Sequence, residues 1–407
     1  MSDTSGDIIT PYDEAGVADA VRAARAERKS LEIAGRGTLR SLGRPVQTAR
    51  TLDLSQLAGV TLYEPEELVL SARPGTARAE IEEMLAARGQ MLAFEPADLG
   101  PLLGGDAGAG TFGGMFCVNL SGPRRISHGA VRDHALGARA VSGQGEIFKS
   151  GGRVVKNVTG YDLPRLLCGA FGTLAVITEI TLKVLPRPAT QESVLVAGLS
   201  PARAGEAMSA AMGSSCEVSG AAFLPADVAA RVPGLAGAAD AVVFRLEGVA
   251  PSVTARRAML LKVLAPFGAG AVIAEEASVA LWRAVRDAAP FWGTGGRAVW
   301  RISTTPTGGP LLGAALSRAL GAQTYCDWAG GLVWACLPGA ESHADAVRAA
   351  LAPFGGHATL IRAEAAERAR VPVFQPQAPT LAALSGRVKE SFDPARVLNP
   401  GRMHAGV

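Results

Sequence analysis

Two periodicities organise the chain. In residues 13–29, Val17, Ala20, Val21 and Ala24 recur at helical spacing, with Asp13 placed as an N-cap. Residues 31–34 read as a short strand and 67–72 as a buried one. After Arg73-Pro74-Gly75 a second helix begins at Thr76, with Ala77, Ile81, Met84 and Leu85 in phase and Gly89 as its stop. Strands resume at 138–141 and 146–150, and Asp162 can cap a short helix with Pro164 in its first turn. Val176, Thr178, Ile180, Leu182 and Val184 then alternate with Ile177, Glu179, Thr181 and Lys183, which predicts a strand with one wet face.

The Pro-Arg-Pro at 186–188 reads as a domain boundary. Beyond it the chain turns alanine-rich, with helical patterns at 202–212, 253–264 and 342–351 and strands at 241–246 and 332–336. Near the end, Leu381, Leu384, Val388 and Phe392 share one helical face. Helices and strands in both halves predict an α+β protein. The expected domains are residues 1–188, 189–370, and a C-terminal segment, 371–407, returning to the first.

Composition sharpens this picture at one point. The 407 residues include 49 glycines, well above the usual ~7%. Glycine packs nothing and costs backbone entropy, so this excess means either many turns or backbone brought close to a ligand. A hydrophobic share of 48% excludes disorder, and a net charge of +3 is no nucleic-acid footprint. The first residues have no basic n-region or apolar core, so a secretory leader is not expected. No stretch reaches the ~18 apolar residues of a membrane span. The five cysteines form no CxxC and the five histidines no HxxxH, so no metal site or iron–sulfur cluster is expected.

The glycines concentrate in loops. Gly35-Arg36-Gly37-Thr38-Leu39 follows a strand, and its successive amides can form an anion nest. Residues 108–122 interleave Gly110, Gly113, Gly114 and Gly122 with apolar residues and with Thr111, Asn119 and Ser121, as a loop against a planar ligand would. A third stretch bunches Lys156, Asn157, Tyr161 and Asp162 before Gly169 and Gly172. Each has a plainer reading as turns or solvated charge. His128 and His134 are candidate bases, although a lone histidine is more often structural. Trp282, Phe291, Trp292 and Trp300 read as core of the second domain, and Cys117 and Cys168 as buried apolar groups.

In this order, the three loops resemble the FAD-binding domain of the vanillyl-alcohol-oxidase/PCMH superfamily, and in particular the E-type FAD-binding subunits of bacterial glycolate oxidase. The resembling pieces include IAGRGTLRSLG, SGPRR, GAVRD, KNVTGYDL and NPGRM, and cover most of 30–190 plus the C-terminus. The resemblance implies a two-lobed PCMH-type domain followed by an α+β cap domain. It places Gly35, Arg36, Gly37, Thr38 and Leu39 around the pyrophosphate. Gly110, Thr111, Gly113, Gly114, Ser121 and Gly122 would lie along the flavin and ribityl chain, with Ile177 near the adenine. Arg124, Arg125 and Lys156 become candidate cations beside the flavin N1–C2=O edge.

Two departures matter. Thr38 stands where many relatives carry a histidine that links FAD covalently, so noncovalent FAD is expected. The GDGNxH-type stretch of related 2-hydroxy-acid dehydrogenases is absent, and His357 in GGHA lacks its acidic and amide neighbours. The implied function is therefore the FAD-binding subunit of a glycolate oxidase complex, a cytoplasmic hetero-oligomer oxidising glycolate to glyoxylate. Its implied partners are a D-type flavoprotein subunit and an iron–sulfur F-type subunit, with any contact to the inner membrane face made through them. The rivals are a self-sufficient FAD-dependent 2-hydroxy-acid dehydrogenase and a non-catalytic assembly subunit. No catalytic residue is assigned.

Overall fold

The computed structural model describes residues 7–153 and 160–405. They form two compact units. The first takes the chain up to Leu120, then Ala130–Pro186, then everything from Pro376; the second takes Ser121–Gly129 and Arg187–Gln375. The fold is α+β, in agreement with the alternating patterns.

The strands of the first unit are β1 (Asp7–Ile9), β2 (Leu31–Ala34), β3 (Arg50–Asp53), β4 (Val60–Glu64), β5 (Val69–Ala72), β6 (Gln90–Met91), β7 (Ala135–Ser142), β8 (Ile147–Gly151), β9 (Ala175–Lys183) and β10 (Leu185–Pro186). β1, β3 and β2 make a parallel sheet in that order, and β4-β5-β9-β7-β8 an antiparallel one; β6 pairs with β10. The helix Glu14–Glu27 is capped by Asp13, whose carboxylate accepts the Gly16 N–H at 2.8 Å. It buries Val17, Val21 and Ala24 against Leu31, Leu52, Val176 and Leu398.

β9 departs from its expected wet face. It lies between β5 and β7, and Ile177 and Thr181 are buried like Val176 and Ile180 on the opposite side. Its threonines fit there because they are hydrogen-bonded: Thr181 to Ser71 at 2.8 Å, and Thr178 donating to Glu14. The C-terminal helix Pro379–Phe392 also differs. Val388 and Phe392 pack on the core, but Leu381 and Leu384 are about half exposed. The helix is held instead by a buried polar residue. Lys389 Nζ donates to Thr173 O (2.6 Å), Asp393 Oδ2 (2.7 Å) and Leu398 O (3.0 Å), so all three of its protons are used.

The second unit carries β11 (Thr190–Ala197), β12 (Gly220–Leu224), β13 (Ala241–Gly248), β14 (Gly270–Ile273), β15 (Val299–Ser303), β16 (Gln323–Asp327), β17 (Leu332–Cys336) and β18 (His357–Arg362). They pair antiparallel in the order β14-β11-β13-β12-β16-β17-β15-β18. Helices Pro201–Met212, Ala250–Leu264, Gly309–Leu320 and Ala344–Leu351 contribute to one core with Phe223, Trp300, Ile302, Val333, Ala335 and Leu360. Of the four aromatics read as core, Trp282, Phe291 and Trp300 are buried, whereas Trp292 is 39% exposed with its indole N–H on Asp287 O.

Candidate cofactor site

The loop after β2 is the first wall of a cleft in the first unit. Gly37 has φ +73°, a left-handed conformation that glycine adopts without a Cβ clash. Gly35 faces Thr111 so closely that a Cβ would come within 2.8 Å of its Oγ1. Among the described residues, the amides of Arg36, Gly37, Thr38 and Leu39 donate to no protein group. Four successive free amides beside a threonine hydroxyl form a donor set suited to a pyrophosphate.

The second wall corrects the loop reading of residues 108–122, because Phe112–Val118 is a helix. Its glycines argue against a helix, but local bonds decide the matter. Thr111 Oγ1 caps it by accepting the Gly114 N–H at 3.1 Å, and Asn119 ends it in the left-handed region. The Phe112 and Gly113 amides bond to Thr76 O and Pro74 O, each at 2.9 Å. Further along, Arg78 donates to Pro96 O and Ala97 O, both at 3.1 Å, and pairs with Asp98, which accepts the Gly108 N–H at 2.6 Å.

The third wall comes from the C-terminus. Asn399 Oδ1 accepts the Ile33 N–H at 2.9 Å while its Nδ2 donates to Phe171 O at 2.8 Å. Arg402 Nη2 donates to the carbonyls of Leu39 (3.1 Å) and Arg40 (2.9 Å), fixing the first loop from behind. The widest stretch of the cleft encloses about 540 Å³ and is lined by residues 32–40, Thr111, Gly114, Cys117, Val118, Phe171, Asn399 and Arg402. It continues to an apolar end at Leu54, Pro74, Gly113, Ala175 and Ile177, and in the other sense past Gly110 to Arg78, Asp98 and Gly100. Burial pushes the Cys117 thiol up to about 12, so it is a neutral wall atom.

The cleft thus gathers Gly35, Arg36, Gly37, Thr38, Leu39, Gly110, Thr111, Gly113, Gly114 and Ile177. Ser121 and Gly122 belong to the second unit, where Gly122 O accepts the Trp328 indole N–H at 2.9 Å. Arg124 is committed there too: its Nε and Nη2 grip the Glu247 carboxylate at 2.5–3.1 Å. Burial alone would raise the Glu247 pKa, but the Arg245 and Arg124 guanidiniums overcome it and hold the carboxyl at about 2. Lys156 and Asn157 lie outside the described residues. His134 is structural, with Nδ1 3.2 Å from Lys183 O and its ring edge on Phe94. His128 Nδ1 sits 2.8 Å from Ser127 Oγ. Asn399, Arg402, Phe171 and Cys117 were not read as site residues, although NPGRM was legible as a motif.

A cleft made of two glycine-rich segments and closed by the C-terminal tail, in a chain with a second sheet-and-helix unit, is the kind of site an FAD-binding protein carries. Residues 7–151 match the FAD binding domain family. The chain is 35% identical over 386 residues to the glycolate oxidase subunit GlcE of Escherichia coli, spanning 95% of both. It therefore belongs to the family of FAD-binding E subunits of glycolate oxidase. It is also 28% identical over 151 residues to the glycolate oxidase subunit GlcD of Bacillus subtilis, which covers 37% of this chain and 30% of that protein. Among solved structures, p-cresol methylhydroxylase aligns with a TM-score of 0.73 over 98% of this chain and 88% of that one, at 16% identity. Alkyldihydroxyacetonephosphate synthase aligns at 0.65 over 97% and 76%, also at 16%. At such identities these two establish the fold alone. Among the described residues, no helix is long and apolar enough to cross a membrane.

Proposed function

We propose that this chain is the FAD-binding subunit of a glycolate oxidase complex that converts glycolate to glyoxylate. The observation that carries the reading is the free-amide cradle at Arg36–Leu39, in a chain related to GlcE over nearly its whole length. When bound, FAD supplies a two-electron acceptor for the hydride of the glycolate α-carbon and can release electrons singly. The hydroxyl proton leaves to a base that no residue here is assigned to.

The chain's own residues bind and orient. The Arg36, Gly37, Thr38 and Leu39 amides would hold the pyrophosphate, Gly110, Gly113 and Gly114 would line the ribityl and ring with open space at Gly110, and Ile177 with Leu54 would pack the adenine end. Arg402 and Asn399 keep the first loop from opening. With Thr38 in place of a histidine, FAD is held noncovalently. Electrons leave through an iron–sulfur partner subunit beside a D-type flavoprotein subunit, in a cytoplasmic complex whose membrane contact, where it exists, is through partners.

Two measurements test this reading. The purified chain is expected to be yellow, with about one equivalent of acid-extractable FAD; a colourless chain that takes up no added FAD overturns it. Anaerobic mixing with glycolate, followed by the flavin spectrum, is expected to bleach the flavin in the isolated chain or on addition of the partners. A flavin that stays oxidised in the reconstituted complex removes the catalytic role.

A further inference from the structure

The sheet of the second unit has a face that its main helical core does not use. Residues paired across antiparallel strands point to the same side. Tyr325 pairs with Trp334, Trp334 with Arg301, and Arg301 with Thr359, which makes one row across β16, β17, β15 and β18. Their neighbours Trp300, Ile302, Val333, Ala335 and Leu360 point the other way, into the helix-packed core. The row therefore sets Arg301 in line with the Trp334 and Tyr325 rings.

Arg301 lies with its guanidinium 4.6 Å from the centroid of Trp328 and 5.9 Å from that of Trp334. Arg125 lies 4.6 Å from the same Trp328 ring. Stacking satisfies the face of a guanidinium and leaves its N–H edge unmet. The Nη2 of Arg301 is buried and has no hydrogen-bond partner. Asp327 is within electrostatic reach, but its Oδ1 accepts the Trp328 amide at 2.7 Å. Burial first, and then the charge of Arg125, pull the Arg301 pKa down to about 10, so the group remains a cation at neutral pH. Tyr325 gives its hydroxyl proton to Val285 O at 2.8 Å and is neutral. His357, which pairs with Ser303 on the same face, is shifted down by burial and then by Arg301 and Arg125. The nearby groups thus supply rings, positive charge and the Asp327 carboxylate, yet the Arg301 Nη2 is left without a hydrogen-bond partner.

We infer that Arg301, with Arg125 beside it, binds the carboxylate of a small organic acid. A carboxylate matches the planar fork bidentately, satisfies the buried N–H edge and offsets the repulsion of two guanidiniums on one indole. Identifying that acid as the 2-hydroxy acid substrate rests on the function proposed above. The consequence is specific: this subunit itself holds the acid, rather than only relaying electrons from a partner that does.

The test uses the full chain with its FAD and reads tryptophan fluorescence, since Trp328 and Trp334 line the cation. Oxalate is the probe, because it carries the carboxylate but no oxidisable C–H bond, and uncharged glycolamide is its control. Wild type should show a saturable response to oxalate and none to glycolamide. Arg301→Met should weaken oxalate by about tenfold or more, with Arg301→Lys intermediate and FAD content unchanged. Arg125→Gln should weaken it less, and it carries the test should Arg301→Met misfold. Oxalate affinity unchanged in the folded variants, or glycolamide binding as tightly as oxalate, overturns the site. Glycolate separates this inference from the wider reading. If glycolate never reduces the flavin while oxalate binding still tracks Arg301, the site stands and the glycolate assignment falls. If Arg301→Met is reduced by glycolate with wild-type apparent affinity, the assignment stands and the site falls.

Discussion

Lys389 in the first unit is a buried cation and Arg301 in the second a half-buried one with its Nη2 buried, and the protein treats them in opposite ways. Lys389 finds two carbonyls and the Asp393 carboxylate within 3.0 Å, and Asp393 also accepts the Val397 and Leu398 amides. Arg301 finds indole rings and leaves one nitrogen unpaired. An unmet buried donor costs about 1–3 kcal/mol. The cofactor cleft repeats the lesson with backbone: its framework amides are bonded, while those of residues 36–39 are left open. Internal pairing holds Lys389 in place, whereas Arg301 Nη2 and the amides of residues 36–39 have no partner within the chain.

The largest effect should come from the satisfied cation. Lys389→Met leaves the Asp393 carboxylate buried without its counter-charge, which costs about 3–5 kcal/mol. Urea unfolding should move to a correspondingly lower midpoint; an unchanged midpoint would remove the contrast with Arg301. Next in size is the Glu247 cluster. Its carboxyl titrates at about 2 in the fold against 4.5 for the ordinary group. A depressed folded pKa contributes stability above the unfolded value and loses it as pH falls toward the folded one, here between about 4.5 and about 2, with a ceiling of about 3 kcal/mol. Urea midpoints measured down through that window should fall in wild type and fall less in Arg124→Met. Equal slopes would mean that Arg124 does not hold Glu247.

Gly37→Val probes the open amides. A β-branched residue is strained at φ +73°, by about 1–3 kcal/mol. FAD binding should weaken by about tenfold or more with far-ultraviolet circular dichroism unchanged. Full FAD content in this variant removes the first loop from the site. The smallest effect belongs to Gly110→Ala. Gly110 is not in the left-handed region and a Cβ there meets nothing within 4 Å, so stability should stay within about 0.5 kcal/mol. Any loss of FAD then reports occupied cleft space rather than strain, and thermal melts beside FAD titration separate the two.

The local parts of this structure were legible in the sequence. The helix at Glu14–Glu27 follows from apolar spacing and the Asp13 cap, and the glycine runs located the cleft. Misreadings arose where a short-range pattern was overridden. Glycines masked the helix Phe112–Val118, because one threonine cap and two amide bonds to residues 74 and 76 decide it. The alternation in β9 is real, but a central strand can bury both faces when its threonines are bonded. What stayed hidden depends on distant partners. Glu247 lies 123 positions from Arg124, and Lys389 lies 216 from Thr173. Nothing in SGPRR or VKESF announces such a partner.

The tail that closes the cofactor cleft also sets a timetable. Asn399 bonds to Ile33 across 366 positions, and Arg402 to the loop carbonyls across 362 and 363. At about 5–20 residues per second, the ribosome makes the first loop roughly 20–70 seconds ahead of the residues that brace it. During that interval the loop stands without its back wall. The first loop therefore gains its bracing hydrogen bonds only from residues made more than 360 positions later.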